Sequence, residues 1–569
     1  MDRRPPEPES EEISLYITTF YSLLRSTGEV RVRAFEEAHA YSGSSLHAGA
    51  LSDVPDLSAF AYAAARLPDD MADVHTVILG QSHELFEAAG YDVRQWKIAR
   101  TRGRRRPLRS DGAGTLAVFI ASESDIDDLV PILTAYQIEW NKMHERLRRA
   151  AQSADALLDA TKDPVALGQV LGVPVDEAQK LIHAFGMKRL ERGGRALYER
   201  SCDLRLRMLA PSYSQYQRAA QRWWSGVEPA YVKKTNPRRP PVYFVSSNTH
   251  AIANLVGGYA RMHNEEIVAW AKRENPEGLG EEVDRAHRTG DPAELAPVLY
   301  YLLRSYIHAN PGKTKMNEVR AFEATKGLVH LSEPGHIDVD AQIANLADLD
   351  PALIDPRLQM PGIERLAKSD AVILNIDYPL GLAAYHLFSR VGQGVGEVRG
   401  VYIMGKAATL NGRVGDVMLS GNVYDEHSKN TFLFKNAFTA QDLAPYLRHG
   451  SVFDNQKAVT VRSAFLQNKE YMDAFYRSGY TVLEMEAGPF LGACYELVNP
   501  TRVPSDEVVH LSAHTGFDVG IVHYASDTPY SRRQSLLSKS LSFFGVDATY
   551  ACAIAIVRRI IELECARLA

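Results

Sequence analysis

Residues 519–530, VGIVHYASDTPY, determine how the second half of this chain is interpreted. The apolar run GIVHYA has the length and composition of a buried β-strand, and Pro529 prevents the strand from continuing. Asp527 is therefore predicted to lie at the carboxyl end of a strand, where α/β sheets bind small ligands. Two roles stay open for Asp527 from these residues alone: an acid that acts on a ligand, or a cap for the helix predicted at 531–544.

Strands and helices alternate around this stretch through the C-terminal part of the chain. The segments are DAVILNIDYPLGLAAYHLF (370–388), EVRGVYIMG (397–405), GDVMLSGNVYDEHS (415–428), AVTVRSAF (458–465), YTVLEMEAGPFLGACYEL (480–497) and the closing helix VDATYACAIAIVRRIIELECARLA (546–569). The second segment is predicted to be a strand that ends in a turn at Gly405. This alternation predicts the α/β fold class, with a mixed sheet flanked by helices on both faces.

The N-terminal part has a different pattern. Helical periodicity dominates residues 13–231, which are predicted to form a mainly α-helical region, either as one unit or as two subdomains, 13–155 and 156–231. Residues 163–192 show two short helices around a Gly-Val-Pro turn. Their outline is similar to a helix-turn-helix, but the second helix lacks the Arg, Asn or Gln cluster that reads DNA, so a helical hairpin is predicted.

Three further segments complete the domain organisation. Residues 1–12, rich in Pro and acids, are predicted to be a disordered tail. The basic, Pro-rich residues 232–241 are predicted to be a linker, after which an α/β domain extends over 242–569. The basic run at 100–109 contains Gly and Pro and is interpreted as a solvated loop, with a contact to phosphate or nucleic acid as the alternative.

Composition excludes several classes of protein. With 569 residues the chain is too long for one compact core, and its net charge of −6 gives no reason to expect a nucleic-acid or membrane partner. The four cysteines lack metal or disulfide spacing, which favours a reducing cytoplasm and no metal site. No uninterrupted apolar stretch is long enough to span a bilayer.

Residues at the ends of four of the predicted strands form the candidate site. They are Gly405 and Lys406, Arg462 and Phe465, Glu484, Met485 and Glu486, and Ser526 and Asp527. Because strand ends meet at one edge of an α/β sheet, we expect these residues to lie close together. A buried glutamate needs hydrogen-bond donors, and the hydroxyls of a ribose would supply them to Glu486.

The order of these motifs resembles that of the nucleoside phosphorylase and nucleosidase superfamily, and within it the AMP nucleosidases most closely. The residues that carry the resemblance are ILNIDYPLG (373–381), MGKAATL (404–410), the VGD strand at 414–416, EMEAGPF (484–490) and SDTP (526–529). The resemblance covers about residues 370–569 and implies a nucleoside-phosphorylase-like fold for the α/β domain.

The resemblance implies cleavage of the N-glycosidic bond of a purine nucleoside or nucleotide. Asp527 would be the general acid to N7 of the leaving base, Met485 and Glu486 would hold the ribose, and Phe465 would stack on the base. The remaining residues expected to bind substrate are Gly405, Lys406, Arg462, Glu484 and Ser526. The chemistry is coherent, since an acid neutralises the departing base while a carboxylate stabilises the positive charge on the sugar.

Departures from the family pattern leave alternatives open. Ile403 stands where phosphorylases of the hexameric type place an arginine, which favours hydrolysis by water over phosphorolysis. Lys406 is either a ligand of a substrate phosphate or a solvated lysine. The alternatives are therefore a purine nucleoside phosphorylase that uses phosphate as co-substrate, and a catalytically silent nucleotide sensor. No other cofactor is expected, and the resemblance implies a homo-oligomer.

Overall fold

A computed structural model of the chain describes residues 11–26, 28–101, 103, 106–150, 153–154, 159, 162–185, 187–209, 212–232, 239–309, 313–511, 515–529 and 543–569. The strands in this part of the chain are β1 (Val30–Arg31), β2 (Thr76–Gly80), β3 (Lys97–Ala99), β4 (Leu108–Ser110), β5 (Thr115–Phe119), β6 (Arg205–Met208), β7 (Pro241–Ser246), β8 (Leu328–Leu331), β9 (Ala341–Asn345), β10 (Val372–Ile376), β11 (Glu397–Thr409), β12 (Val417–Asp425), β13 (Thr431–Leu433), β14 (Val452–Thr460), β15 (Tyr480–Glu484), β16 (Val508–His510) and β17 (Asp518–Asp527).

The α-helices in the same part of the chain are α1 (Glu11–Ser26), α2 (Arg33–Tyr41), α3 (Leu57–Ala64), α4 (His83–Ala88), α5 (Glu123–Ala150), α6 (Pro164–Leu171), α7 (Val175–Phe185), α8 (Met187–Glu199), α9 (Tyr213–Tyr231), α10 (Ala251–Gly257), α11 (Tyr259–Met262), α12 (Asn264–Glu274), α13 (Gly280–Thr289), α14 (Pro292–Ala309), α15 (Lys313–Ala324), α16 (Leu382–Gly394), α17 (Ala440–Leu443), α18 (Lys469–Arg477), α19 (Ala487–Val498) and α20 (Phe543–Arg567).

The N-terminal region contains a six-stranded sheet with the order β1-β6-β2-β5-β4-β3, in which β2 runs parallel to both β5 and β6. The prediction of a mainly helical region missed this sheet. Its strands are short apolar runs such as TVILG and TLAVF, which periodicity alone does not distinguish from buried helix. Strand β6 lies between β1 and β2, so the two subdomains that the sequence left open share one sheet.

The large sheet has eleven strands, in the order β16-β13-β12-β14-β15-β11-β7-β10-β9-β8, with β17 paired to both β11 and β12. Because β17 joins β11 to β12, the strands β11, β17, β12, β14 and β15 close into a ring. Parallel and antiparallel pairs both occur, so the predicted mixed sheet is confirmed.

Helices cover both faces of the large sheet, as the alternating pattern predicts. Tyr243 and Val245 of β7 pack into a core formed with α10 to α15 and α20. Val242 and Phe244 point to the opposite face, where α9, α16 and α19 pack. Helix α9, which the sequence assigned to the N-terminal region, thus buries Trp223 and Trp224 against the large sheet.

Several local predictions need correction. Strand β11 continues through Gly405, so the predicted turn is wrong; ladders to β7 and β17 on its two sides override the local preference of glycine. Of the predicted tail, residues 1–10 lie outside the described residues, while Glu11 and Glu12 begin α1. The linker is described only at 232 and 239–241, and the predicted helix at 531–544 only at its last two residues.

The basic run at 100–109 is not a simple solvated loop where the structure describes it. Arg106 is buried, and its guanidinium binds Asp125 Oδ1 over 2.8 Å and Asp128 Oδ2 over 2.5 Å, both on α5. Leu108 and Arg109 belong to β4. Burial of the arginine is tolerated because two carboxylates neutralise it.

Other helices agree with the sequence. The amphipathic helix predicted at 125–151 is α5, and the helical hairpin is confirmed as α6 and α7, with Asp163 accepting a hydrogen bond from Val165 N. In the described part of the chain, no helix combines the length and apolarity needed to cross a bilayer.

Candidate functional site

A cavity of about 950 Å³ lies between the two sheets. Gln81 and Ile120, which follow the parallel strands β2 and β5, line one wall. Asn248 and Asp377, which come soon after the parallel strands β7 and β10, line the opposite wall. The cavity therefore lies at the carboxyl edge of both sheets, which is where sheets of this type bind ligands.

Strand pairing brings three of the four predicted loops to this edge. Ala408 of β11 pairs with Leu483 of β15 on one side and with Asp527 of β17 on the other. Lys406 and Glu486, close in sequence to these paired positions, both line the cavity. Asp527 is not among the residues that line the cavity, but its charge acts on Lys406.

Asp527 has an unusual environment for a carboxyl group. The Ser526 hydroxyl donates a hydrogen bond to Oδ2 over 3.0 Å, whereas Oδ1 is buried and has no hydrogen-bond partner among the described residues. Burial raises the pKa of Asp527, while Ser526, Arg66 and Lys406 act in the opposite direction. The carboxyl therefore keeps its proton to a higher pH than an exposed aspartate does.

A β-bulge sets the direction of this carboxyl. The pairing between β11 and β17 shifts between Ala407 and Ala408, which pair with Ala525 and Asp527 and leave Ser526 as the extra residue. An extra residue bends a strand and re-aims the side chains next to it. The Ser526 hydroxyl also lies 3.4 Å from the carbonyl oxygen of Ala407, so it bridges the bulge.

Cationic groups face the cavity from two different parts of the chain. Lys406 lies on β11 and Arg304 on α14; both line the cavity, and neither makes a salt bridge within the described residues. Desolvation lowers the pKa of Lys406, Asp527 raises it, and Arg304 lowers it further. Two cations held near each other without a shared carboxylate favour binding of an anion.

In the polar turn after β7, the amide oxygen of Asn248 accepts hydrogen bonds, whereas its amide nitrogen has no hydrogen-bond partner among the described residues. Asn248 Oδ1 accepts hydrogen bonds from His250 N and Ala251 N over 3.1 and 2.6 Å, at the start of α10. Its Nδ2 is buried at the cavity and has no hydrogen-bond partner in the described chain. Ser247 instead donates to Asn375 Oδ1 over 2.7 Å.

Glu484 and Glu486 have different environments. Glu484 is 2% exposed, and its Oε2 accepts hydrogen bonds from Glu486 N and Ala487 N, each over 2.7 Å. Burial, followed by the charge of Glu486, raises the pKa of Glu484 to about 8. Glu484 thus holds the start of α19 in place, whereas Glu486 lines the cavity.

Phe465, expected to stack on a base, lies elsewhere. It is 1% exposed and packs in the N-terminal core against Tyr62, His39 and His47, with ring centroids 5.3, 5.9 and 6.5 Å away. The N-terminal region occupies the space above this ring, so it is not available to stack on a ligand. Met485 is partly buried and packs on the apolar cluster behind β15.

Arg462 also lies away from the cavity. Its guanidinium is 3.8 Å from Asp127 Oδ2 of α5, and its backbone N donates to Glu426 Oε2 over 2.8 Å. Burial raises the pKa of Asp127 to about 6, which Arg462 partly opposes. Arg462 thus joins α5 of the N-terminal region to the large sheet and is not among the residues that line the cavity. Gly405 is a buried residue in the middle of β11.

Three residues near the site, Gln81, Arg304 and Arg66, were not predicted from the sequence. Gln81 and Arg304 line the cavity, and Arg66 acts electrostatically on Asp527. No motif marks any of the three, because each belongs to a segment outside the region that carries the resemblance. Among the described residues, no group of three or more His, Cys, Asp or Glu is arranged to hold a metal ion.

A comparison with protein families identifies the family of this chain. A family model matches residues 32–562, so the protein belongs to the family described as "Family of unknown function (DUF6909)". No curated protein matches the chain.

Solved structures that match the chain include nucleosidases and phosphorylases. The 5'-methylthioadenosine/S-adenosylhomocysteine nucleosidase of Colwellia psychrerythraea 34H, in complex with adenine, is 11% identical with a TM-score of 0.23, covering 33% of this chain and 79% of its own. Uridine phosphorylase of Schistosoma mansoni, in complex with thymidine, is 14% identical with a TM-score of 0.25, covering 34% and 70%. A candidate methylthioadenosine nucleosidase of Weissella paramesenteroides ATCC 33313 is 13% identical with a TM-score of 0.25, covering 42% and 92%. Similarity at this level carries no argument about function, which rests on the site itself.

Proposed function

We propose that this protein cleaves the N-glycosidic bond of a purine nucleoside or nucleotide. The observation that carries the proposal is the carboxyl of Asp527, with its raised pKa and one unpartnered oxygen, at the same sheet edge as Glu486. A carboxyl that keeps its proton can donate it to a departing base.

The proposed reaction uses water as the nucleophile. As the bond between C1' and the base breaks, its electron pair goes to the base and Asp527 donates its proton to N7. Glu486 accepts hydrogen bonds from the ribose hydroxyls and stabilises the positive charge that develops on the sugar. Water then adds to C1', and the proton that it releases to solvent balances the proton that Asp527 takes up from solvent to return to its acid form. Lys406, which lines the cavity and has no salt bridge among the described residues, would bind a 5'-phosphate.

Phosphorolysis is the second candidate, and the pair of cations favours it. Lys406 and Arg304 would hold inorganic phosphate in the cavity, and phosphate would replace water at C1'. The two reactions differ only in the nucleophile, so the phosphate dependence of base release separates them.

The test is to incubate the protein with adenosine, AMP, inosine and guanosine, with and without phosphate, and to measure free base by chromatography. We expect release that Asp527→Asn lowers by about 10²–10⁴-fold. Asp370→Asn is the matched control, because this exposed carboxylate precedes β10 at the amino edge of the sheet. No release from any substrate by the folded protein would overturn the proposal and leave a silent nucleotide sensor.

A further inference from the structure

The N-terminal wall of the cavity has properties that cleavage of a single nucleoside does not use. It consists of Gln81, Gly103, Arg106, Pro107, Phe119, Ile120, Ala121 and Asp125. Of these described residues only Arg106 and Asp125 carry charge, and they bind each other over 2.8 Å. Among the described residues of this wall, the two charges are thus paired with each other, and the one uncharged polar side chain is that of Gln81.

Gln81 is buried, with 5% of its surface exposed, and neither Oε1 nor Nε2 has a hydrogen-bond partner among the described residues. Its backbone is held firmly, since Arg222 donates to its carbonyl oxygen over 2.7 Å. A buried amide that lacks both partners destabilises a protein, so such a group points to a ligand that supplies them.

A carboxamide presents a donor beside an acceptor in one plane. It pairs with a planar group that carries the complementary acceptor and donor, which is the edge of a nucleobase. Pro107, Phe119 and Ile120 give this wall the apolar surface against which such a ring packs.

The opposite wall differs in charge. Lys406, Arg304 and the orphan amide of Asn248 face the cavity there, and they suit phosphate oxygens. The volume of about 950 Å³ is at the upper end of the range for ligand cavities, about 300–1,000 Å³, and leaves room for more than one nucleoside.

We propose that the cavity binds a dinucleotide, with the nucleoside to be cleaved at Glu486, the linking phosphates at Lys406 and Arg304, and the second base at Gln81. The proposal rests on the proposed function for the first nucleoside and adds the class of substrate. The two facing sheet edges each recognise one nucleoside of the same molecule.

One neighbour of Gln81 needs a control. Burial raises the pKa of Tyr216 and Gln81 acts in the opposite direction, so the Tyr216 hydroxyl is near the amide although the two do not meet hydrogen-bond geometry. If the only role of the Gln81 amide were to interact with the Tyr216 hydroxyl, Gln81→Met and Tyr216→Phe would both lower the melting temperature. If Gln81 serves a ligand, Gln81→Met leaves the melting temperature of the free protein unchanged or raises it.

The binding experiment uses adenosine, AMP and diadenosine diphosphate with the full-length protein in titration calorimetry. Wild type is expected to bind diadenosine diphosphate at least about tenfold more tightly than AMP, since a bidentate base contact supplies that factor. Gln81→Met should remove the advantage and leave AMP binding unchanged, and Tyr216→Phe should keep it.

Two results would overturn the proposal of a dinucleotide ligand. One is equal affinity of wild type for AMP and diadenosine diphosphate, and the other is a higher affinity for diadenosine diphosphate that persists in Gln81→Met. A melting temperature lowered equally by Gln81→Met and Tyr216→Phe would assign Gln81 to the fold. Because binding is measured without turnover, these outcomes are distinct from a failure of base release, which concerns Asp527.

Discussion

Ser526 donates a hydrogen bond to Asp527 Oδ2 over 3.0 Å, and this is the one hydrogen bond of the Asp527 side chain within the described residues. The same serine is the extra residue of the bulge that separates the pairing of β17 from that of β11. One residue thus both aims the carboxyl and moderates its pKa, and the balance between burial and this hydrogen bond can be measured.

Base release should depend on pH through Asp527. Because burial raises its pKa in the folded protein, the acid form persists to higher pH, and activity should fall as pH rises through that raised value. Ser526→Ala removes an interaction that lowers the pKa, so the falling limb should move to higher pH. A pH–rate profile of kcat/KM, measured for wild type and for Ser526→Ala, checks the fall in activity and its shift. A profile unchanged by Ser526→Ala would mean that the serine does not lower the pKa of Asp527.

Glu486→Gln should impair catalysis without unfolding the protein. Loss of a charged hydrogen-bond acceptor costs about 1.5–3 kcal/mol, which corresponds to a fall of about 10–150-fold in kcat/KM. The measurement compares nucleosides with their 2'-deoxy analogues. If Glu486 holds the ribose, the variant should discriminate less between the two; discrimination equal to wild type would place the ribose elsewhere.

Glu484 should make stability depend on pH. Its pKa rises to about 8 on folding, so the native state binds a proton more tightly than the unfolded chain does. The contribution of Glu484 to stability is therefore fully present below the unfolded pKa of about 4.3 and is lost as pH rises toward 8. The isosteric Glu484→Gln should flatten this decrease in melting temperature, whereas Asp370→Asn should not. A decrease that is unchanged in Glu484→Gln would mean that other groups cause it.

Phe465→Ala should lower the free energy of unfolding by about 3–5 kcal/mol, because it leaves a cavity among Tyr62, His39 and His47. KM for nucleosides should stay near the wild-type value at temperatures where the variant is folded. Denaturant unfolding and steady-state kinetics measure the two effects separately. A large rise in KM with little loss of stability would restore the stacking role that the resemblance implied.

Lys406→Met should distinguish nucleotides from nucleosides. Removing the cation should weaken the binding of AMP more than the binding of adenosine. The difference should be about 1.5–3 kcal/mol, the contribution of a charged hydrogen bond. If phosphate is instead the co-substrate, the variant should lose phosphate stimulation with adenosine as well. Equal behaviour of the variant and wild type with both substrates, with and without phosphate, would make Lys406 a solvated lysine.

The strands of the C-terminal half could be predicted from the sequence because they are apolar runs bounded by turn residues. Strands β10, β12, β15 and β17 lie where those runs are, and Asp527 ends its strand as expected. The small N-terminal sheet could not be predicted. Its order depends on contacts such as Val30 with Leu206, which are distant in sequence and leave no local pattern.

The residues of the site also divide into those that could be predicted from the sequence and those that could not. The sequence by itself determined that Asp527 and Glu486 come at strand ends, since a carboxyl edge is a local consequence of strand and turn, whereas Lys406 lies inside β11, which continues past the predicted turn. Only the tertiary structure decided which of the candidates face the cavity: it buried Phe465 under the N-terminal region and brought in Gln81 and Arg304. The physical reason is that exposure of a side chain is set by whatever packs over it, and here the covering elements come from remote parts of the chain.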